Sequence, residues 1–384
     1  MKIANKMRLT KRMKNNLKGL QSLLDSQANE KSWGNEKKID LLEKILQGKN
    51  TVALGGHVRP DGDCVGSCVG LFLYIRKNFP KIDVDVYLEP IPPAFSLIVG
   101  TDQIKSQKEL SFVYGDLLEE ETSQSLDALN DSVKRYDLFI TLDCAGKDRL
   151  GFSTPFFNRA QSTFCIDHHI SNEGFADLNY IVPEASSTSE LVYSILNDDR
   201  MDKEIAEALF MGIIHDTGVF RYDNASSTTL KVVANLLEKG VKNDEIIEKT
   251  FYERTFPQTK IIGKALLKSE LILDEQCILC VVTKDEMSRY NVTSMDLDGI
   301  VSQLWLVKDI HVAIFMYELE TGDFKVSLRS SDKVDVSEIA KKFGGGGHKK
   351  AAGFEMKGPS EKIVECVSSE ISEILRRSNV KWNC

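Results

Sequence analysis

The sequence predicts an α/β fold in two domains, a parallel-sheet N-terminal domain and a smaller mixed α/β C-terminal domain. Three observations carry that expectation. At 384 residues the chain exceeds what a single hydrophobic core usually serves. From residue 50 short apolar runs alternate with helical patterns, an order that gives right-handed crossovers and a parallel sheet covered on both faces. In the last third, two strand patterns meet instead across Glu320-Thr321-Gly322-Asp323, a hairpin signal.

Taken in order, residues 1–47 are a basic extension. Its first 18 residues carry Lys2, Lys6, Arg8, Lys11, Arg12, Lys14 and Lys18 and no acid. It lacks the apolar core and cleavage site of a signal peptide and reads as a solvated, partly disordered arm. Residues 48–251 form the first domain. Strands are expected at 51–54, 84–88, 138–142 and 163–166. Helices are expected at 65–74, where Gly66, Ser67 and Gly70 permit close packing, and at 189–196, 204–214, 228–237 and 244–251. The polar, weakly periodic stretch 102–136 is assigned a helix and a loop. A linker is placed at 252–265, with Pro257 as its breaker. The second domain, 266–384, has strands at 277–282, 311–318 and 324–330 and helices at 294–306, 336–342 and 360–376.

Composition removes several classes of function. A net charge of -8 argues against the broad basic surface that duplex nucleic acid requires, while leaving room for a small cationic pocket. No apolar run approaches the roughly 20 residues that cross a bilayer. Cys64, Cys68, Cys144 and Cys165 lie in apolar or motif contexts, which suits reduced thiols in a cytoplasmic protein. Cys277 and Cys280 have C-x-x-C spacing, yet an odd spacing on a strand turns the thiols to opposite faces and disfavours a shared zinc.

The chemistry gathers where strands end, the rim at which open parallel sheets bind ligands. The first strand runs into Gly55-Gly56-His57-Val58-Arg59-Pro60-Asp61-Gly62-Asp63. One imidazole and two carboxylates on a tight loop suit a divalent ion such as Mn²⁺. A helix cap accounts for one of the two acids, but not for the other or for His57. The third strand delivers Asp143, and the fourth delivers Asp167, His168 and His169. Asp216 closes a helix, where the macrodipole opposes an acid by about 0.3–1 kcal/mol, a conflict that a cation relieves. These ligands are too many for one ion, and two divalent ions sharing a carboxylate use them well. In the second domain, residues 344–348 (Gly-Gly-Gly-Gly-His) precede Lys349 and Lys350. Consecutive glycines let backbone N–H groups approach a phosphate, and Arg329 is a second candidate anion ligand.

On these residues the chain resembles the DHH phosphoesterase family. His57, Asp61 and Asp63 match its first motif, Asp143 its second, Asp167-His168-His169 its third and Asp216 its fourth. The glycine run with His348 is similar to the motif of the family's C-terminal domain, so the resemblance spans residues 48–376. It implies one ion held by His57, Asp61 and Asp143 and a second held by Asp63, Asp143, His168 and Asp216. Asp143 would be the shared ligand. Asp167 would orient His168 from behind, and His169 would face the scissile phosphate. Asp143, Asp167 and His169 are thereby the implied catalytic residues. Arg329, Gly345, Gly346, Gly347 and His348 would bind substrate, with the active site in the cleft between the domains. Ser186-Ser187-Thr188-Ser189-Glu190 and Arg221-Tyr222 are similar to further family segments near the site.

The two-domain size is similar to the group that degrades very short oligonucleotides or dephosphorylates 3′-phosphoadenosine 5′-phosphate. The implied cofactors are two divalent metal ions, with Mn²⁺ favoured. The implied partners are short RNA or DNA oligonucleotides or nucleotide phosphates, with no membrane and no long duplex nucleic acid. A homodimer is compatible with the resemblance. Two other readings are hydrolysis of linear or cyclic signalling dinucleotides and nucleotide binding without turnover.

Overall fold

The structure, a computed structural model, describes residues 11–29, 41–108 and 133–380. The chain divides into two compact units, Met1–Glu253 and Arg254–Cys384. None of the described helices is long and apolar enough to cross a membrane.

In the first unit six strands form a wholly parallel sheet: β1 (Thr51–Gly55), β2 (Asp83–Tyr87), β3 (Ile104–Lys105), β4 (Leu138–Leu142), β5 (Thr163–Asp167) and β6 (Leu178–Ile181). Their order is β3-β2-β1-β4-β5-β6. The direction of build-up reverses between β1 and β4. The crevice beyond the carboxyl ends of those two strands is therefore the topological switch point. Alternation along β4 sends Leu138, Ile140 and Leu142 into one core and Phe139 into the other, which is why the strand reads as an unbroken apolar run. The helix Gly62–Asn78 follows β1 and packs on the helix Lys203–Asp216. A methyl group at Gly66 would lie 2.5 Å from the Ala208 carbonyl oxygen, so the small residues there do permit the close approach expected of them.

Several expectations change. Residues 11–29 and 41–46 are not a solvated arm: the helices Lys11–Asn29 and Leu41–Leu46 bury Leu24, Leu41, Leu42, Ile45 and Leu46 in the first core. Gln21 clamps the edge strand, its amide donating to the Asn179 carbonyl at 2.7 Å and its oxygen accepting from the Asn179 N–H at 3.0 Å. The leading residues 1–10 lie outside the described residues, as do residues 109–132 of the stretch assigned a helix and a loop. The expected linker 252–265 holds most of the helix Phe256–Lys268 instead, and the units divide after Glu253. Pro257 sits in that helix's first turn, where its missing N–H costs nothing, behind a capping box of Thr255 and Gln258.

The second unit has a mixed sheet, in order β11-β12-β10-β9-β8-β7. Its strands are β7 (Glu270–Ile272), β8 (Cys277–Val282), β9 (Val312–Glu318), β10 (Asp323–Ser330), β11 (Gly346–His348) and β12 (Ala351–Lys357). Only β8 and β9 pair in parallel. Cys277 joins the core on one face and Cys280 the core on the other, as the odd spacing requires. The helix expected over 294–306 is split into a 3₁₀ turn, Ser294–Leu297, and the helix Ile300–Leu304, separated by Gly299 at φ +84°. The glycine run is part strand rather than loop, because β11 pairs antiparallel with β12.

Candidate functional site

The loop after β1 is compressed at Gly56, where any side chain would strike Cys64 Sγ. His57 follows, its Nδ1 within 2.9 Å of its neighbour's carbonyl, Val58 O. Asp61 is the N-cap of the helix Gly62–Asn78. Its Oδ1 accepts the N–H groups of Asp63 at 3.0 Å and Cys64 at 3.1 Å. That is the ordinary role for one acid in the loop, and it leaves Asp61 3.8 Å from His57 Nε2 with its side chain 57% exposed. Asp63, one helical residue further, is fully buried. Its two oxygens accept the backbone N–H groups of Thr188 at 2.6 Å and Ser189 at 2.9 Å. Gly212 makes room for this arrangement, since a side chain there would collide with Ser189 Oγ and approach Asp63 Oδ1 to 2.7 Å.

Asp143 follows β4 at φ +53°, a left-handed conformation that Asp tolerates better than most residues. It is turned so that its oxygens serve opposite sides. Oδ2 lies 3.4 Å from His57 Nε2, whereas Oδ1 lies 3.6 Å from His168 Nε2 and 3.7 Å from His169 Nδ1. Beyond β5, His168 Nδ1 is 3.3 Å from the Ala185 carbonyl and Nε2 is 3.1 Å from Asp216 Oδ2. An imidazole that donates through one nitrogen and offers the other is the usual form of a metal ligand.

One expectation is corrected here. Asp167 does not orient His168. Its Oδ1 accepts from His169 Nδ1 at 2.7 Å, and its Oδ2 accepts from the Asn172 amide at 2.6 Å. The two rings, their centroids 5.0 Å apart just beyond β5, divide the partners: His169 takes Asp167, while His168 takes the Ala185 carbonyl and Asp216.

Among the described residues, three groups bring potential ligand atoms within 4.8 Å of one another. They are His57 with Cys64 and Asp143, Asp143 with His168 and His169, and Asp63 with His168 and Asp216. Asp143 and His168 each belong to two groups, so the three merge into one centre. Asp61 is outside all of them. Cys64 was read only as a core thiol, and burial keeps that thiol well above its usual pKa.

Burial, with the charges of Asp143 and Asp216, pushes Asp63 well above the usual carboxylate range. Asp216 is likewise raised, chiefly by burial. Burial opposes protonation of His57 and His168, yet neighbouring groups override it and raise both. Cys64, Asp143 and Asp61 act on His57, and Asp216, Asp143 and Asp63 act on His168. Across these contacts carboxylates face imidazoles, a setting into which a divalent cation fits. The nitrogen and oxygen donor set suits such an ion.

The second unit presents the other candidates. Register puts Arg329 opposite Ala351, and Ala351 opposite His348, so Arg329 and His348 share one face across three strands. The three glycines differ. Side chains at Gly345 and Gly347 would strike the carbonyls of Gly353 and Ala351, whereas Gly346 meets nothing within 4 Å. Near Asp216, the consecutive residues Gly218, Val219 and Phe220 all have positive φ, a left-handed turn that leads to Arg221 and Tyr222. A β-branched residue in that region is strained, a feature with no signal in the sequence.

A parallel sheet that collects imidazoles and carboxylates at its switch point is the architecture of a metal-dependent enzyme. Comparison narrows the class. Residues 51–213 match the DHH family, N-terminal domain, and residues 275–376 match the DHHA1 domain. The chain belongs to the DHH family of phosphoesterases, which are metal dependent. It is 26% identical, over 79% of its length and 88% of the relative's, to the bifunctional oligoribonuclease and PAP phosphatase NrnA of Bacillus subtilis. It is 28% identical to the protein of the same name from Thermus thermophilus, over 87% of this chain and 95% of that one. The solved structure of an exopolyphosphatase-related protein from Bacteroides fragilis superposes with a TM-score of 0.77 at 25% identity, covering 88% of this chain and 97% of that one.

Proposed function

We propose that this chain is a two-metal phosphohydrolase that cleaves short oligonucleotides and dephosphorylates 3′-phosphoadenosine 5′-phosphate. The observation that carries the reading is the divided carboxylate of Asp143, with Oδ2 toward His57 and Oδ1 toward His168. In this reading His57, Asp61 and Asp143 hold one ion, and Asp63, Asp143, His168 and Asp216 hold the other. Mn²⁺ is the ion the mixed donor set favours. Bound ions supply the Lewis acidity and charge that stabilise a phosphoryl group under attack.

The remaining steps belong to side chains. Asp167, itself held by Asn172, fixes the His169 ring by its Nδ1, and the ring so oriented faces the scissile phosphate. Arg329 and His348 grip the nucleotide, and the open space over Gly346 admits a phosphate to the backbone beside them. The names of the Bacillus subtilis and Thermus thermophilus relatives support both substrate classes. A cytoplasmic setting accords with the seven free cysteines among the described residues. The test is incubation of purified protein with Mn²⁺ and dinucleotides or 3′-phosphoadenosine 5′-phosphate, following released mononucleotide and phosphate. Release from at least one class is expected; release from none overturns the proposal.

A further inference from the structure

One residue touches two carboxylates of the centre at once. Thr188 opens the helix Thr188–Ile195 and is fully buried. Its backbone N–H donates to Asp63 Oδ2 at 2.6 Å, and its hydroxyl donates to Asp143 Oδ1 at 3.2 Å. The next N–H, from Ser189, completes the hold on Asp63 at 2.9 Å. This turn is itself braced. Ser187 Oγ caps it by accepting the Glu190 N–H at 3.1 Å. The buried Glu190 carboxylate accepts from Ser186 Oγ at 2.5 Å and from Thr229 Oγ1 at 2.8 Å.

The two carboxylates come from distant points of the chain and repel each other. A carboxylate also rotates easily about its last bond, and a rotated Asp143 could close both oxygens on a single ion. A hydroxyl on Oδ1 opposes that rotation and leaves a further lone pair of the same oxygen available. We propose that Thr188 is a positioning residue that locks the Asp143 carboxylate relative to Asp63 and so sets the separation of the two metal positions. The inference rests on the two-metal reading. Asp63 is held by main chain, which substitution cannot delete; Asp143 is held by a hydroxyl, which it can.

The experiment is Mn²⁺ titration of chelator-treated protein by calorimetry, with the thermal midpoint in chelator measured alongside. Thr188→Val should weaken Mn²⁺ binding about 10–100-fold, the usual cost of losing such a partner. It should also disturb the two-ion stoichiometry, with little change of the metal-free midpoint. Thr188→Ser should restore both affinity and stoichiometry. If the valine variant fails to fold, Thr188→Ala against Thr188→Ser makes the same comparison. Wild-type binding by the valine or alanine variant, or a serine variant no better than either, overturns this inference alone. Wild type that binds no Mn²⁺ overturns the two-metal reading and this inference with it.

Discussion

The two units carry their functional groups in opposite ways. In the first, Asp63, Asp143, Asp167 and His168 are all buried, come from three separate segments, and have at least one defined partner each. In the second, Gly346 and His348 lie exposed on an edge strand, and Arg329, two strands away, is half-buried. Under the proposed function the contrast is a division of labour. Groups that must hold ions at fixed separations need rigid surroundings, because small misplacements are costly there. Groups that grip a variable substrate need access, and a single sheet face aligns them with few contacts. Changes in the first unit should therefore abolish turnover, and changes in the second should weaken capture.

The largest effect is expected for Asp143→Asn. The amide keeps the volume but loses the charge on both sides of the shared carboxylate, so turnover should fall to background while circular dichroism stays unchanged. Retained activity would remove Asp143 from the shared position. A smaller and different effect is expected for Arg329→Ala. Losing one charged hydrogen-bond partner costs about 1.5–3 kcal/mol, or roughly 10–100-fold. It should appear mainly in KM, with Mn²⁺ affinity untouched. A loss confined to kcat, or weakened metal binding, would break the proposed division between the units.

Much of this was legible in the chain, for identifiable reasons. Strand ends are marked by the change from apolar run to acid or imidazole, which is why Asp143 and Asp167 stood out, while Asp216 stood out as an acid at the end of a helix; β4 and β8 fall on the residues their apolar runs indicated. What was not legible has no side-chain signature. The hold on Asp63 is made by main-chain N–H groups of a segment 125 residues away. The partner of Asp167 depends on which way two adjacent rings turn. Other signals were present but outweighed. Leu17, Leu20 and Leu24 have helical spacing inside a basic arm, and Thr255 with Gln258 is a capping box that Pro257 disguised as a linker. The alternating Gly346-Gly347-His348 strand was hidden because glycine carries no pattern.

Burial alone does not make an acid part of the site, and the first sheet supplies the control. Asp85 on β2 is also buried, but its carboxylate accepts from Lys105 Nζ at 2.5 Å, Lys134 Nζ at 2.8 Å and the Tyr136 hydroxyl. Burial works to raise its pKa, and the hydrogen bonds from Lys105, Lys134 and Tyr136 overcome it and lower the value. Asp63 shifts the other way, because burial and the charges of Asp143 and Asp216 outweigh the neighbouring His168. A depressed folded pKa contributes stability that is present above the unfolded value, near 3.9, and is lost as the pH falls through the folded value. Both lysines are substantially exposed, so the contribution is about 1 kcal/mol after screening. Asp85→Asn should therefore lower the unfolding free energy by about that amount at pH 7, with the gap to wild type closing below about pH 4. Urea unfolding across that pH range reads the difference directly. A gap that stays constant with pH would mean that Asp85 acts through packing rather than charge. An acid already neutralised by lysines has no need of a metal ion, and that separates Asp85 from the equally buried Asp63 and Asp143.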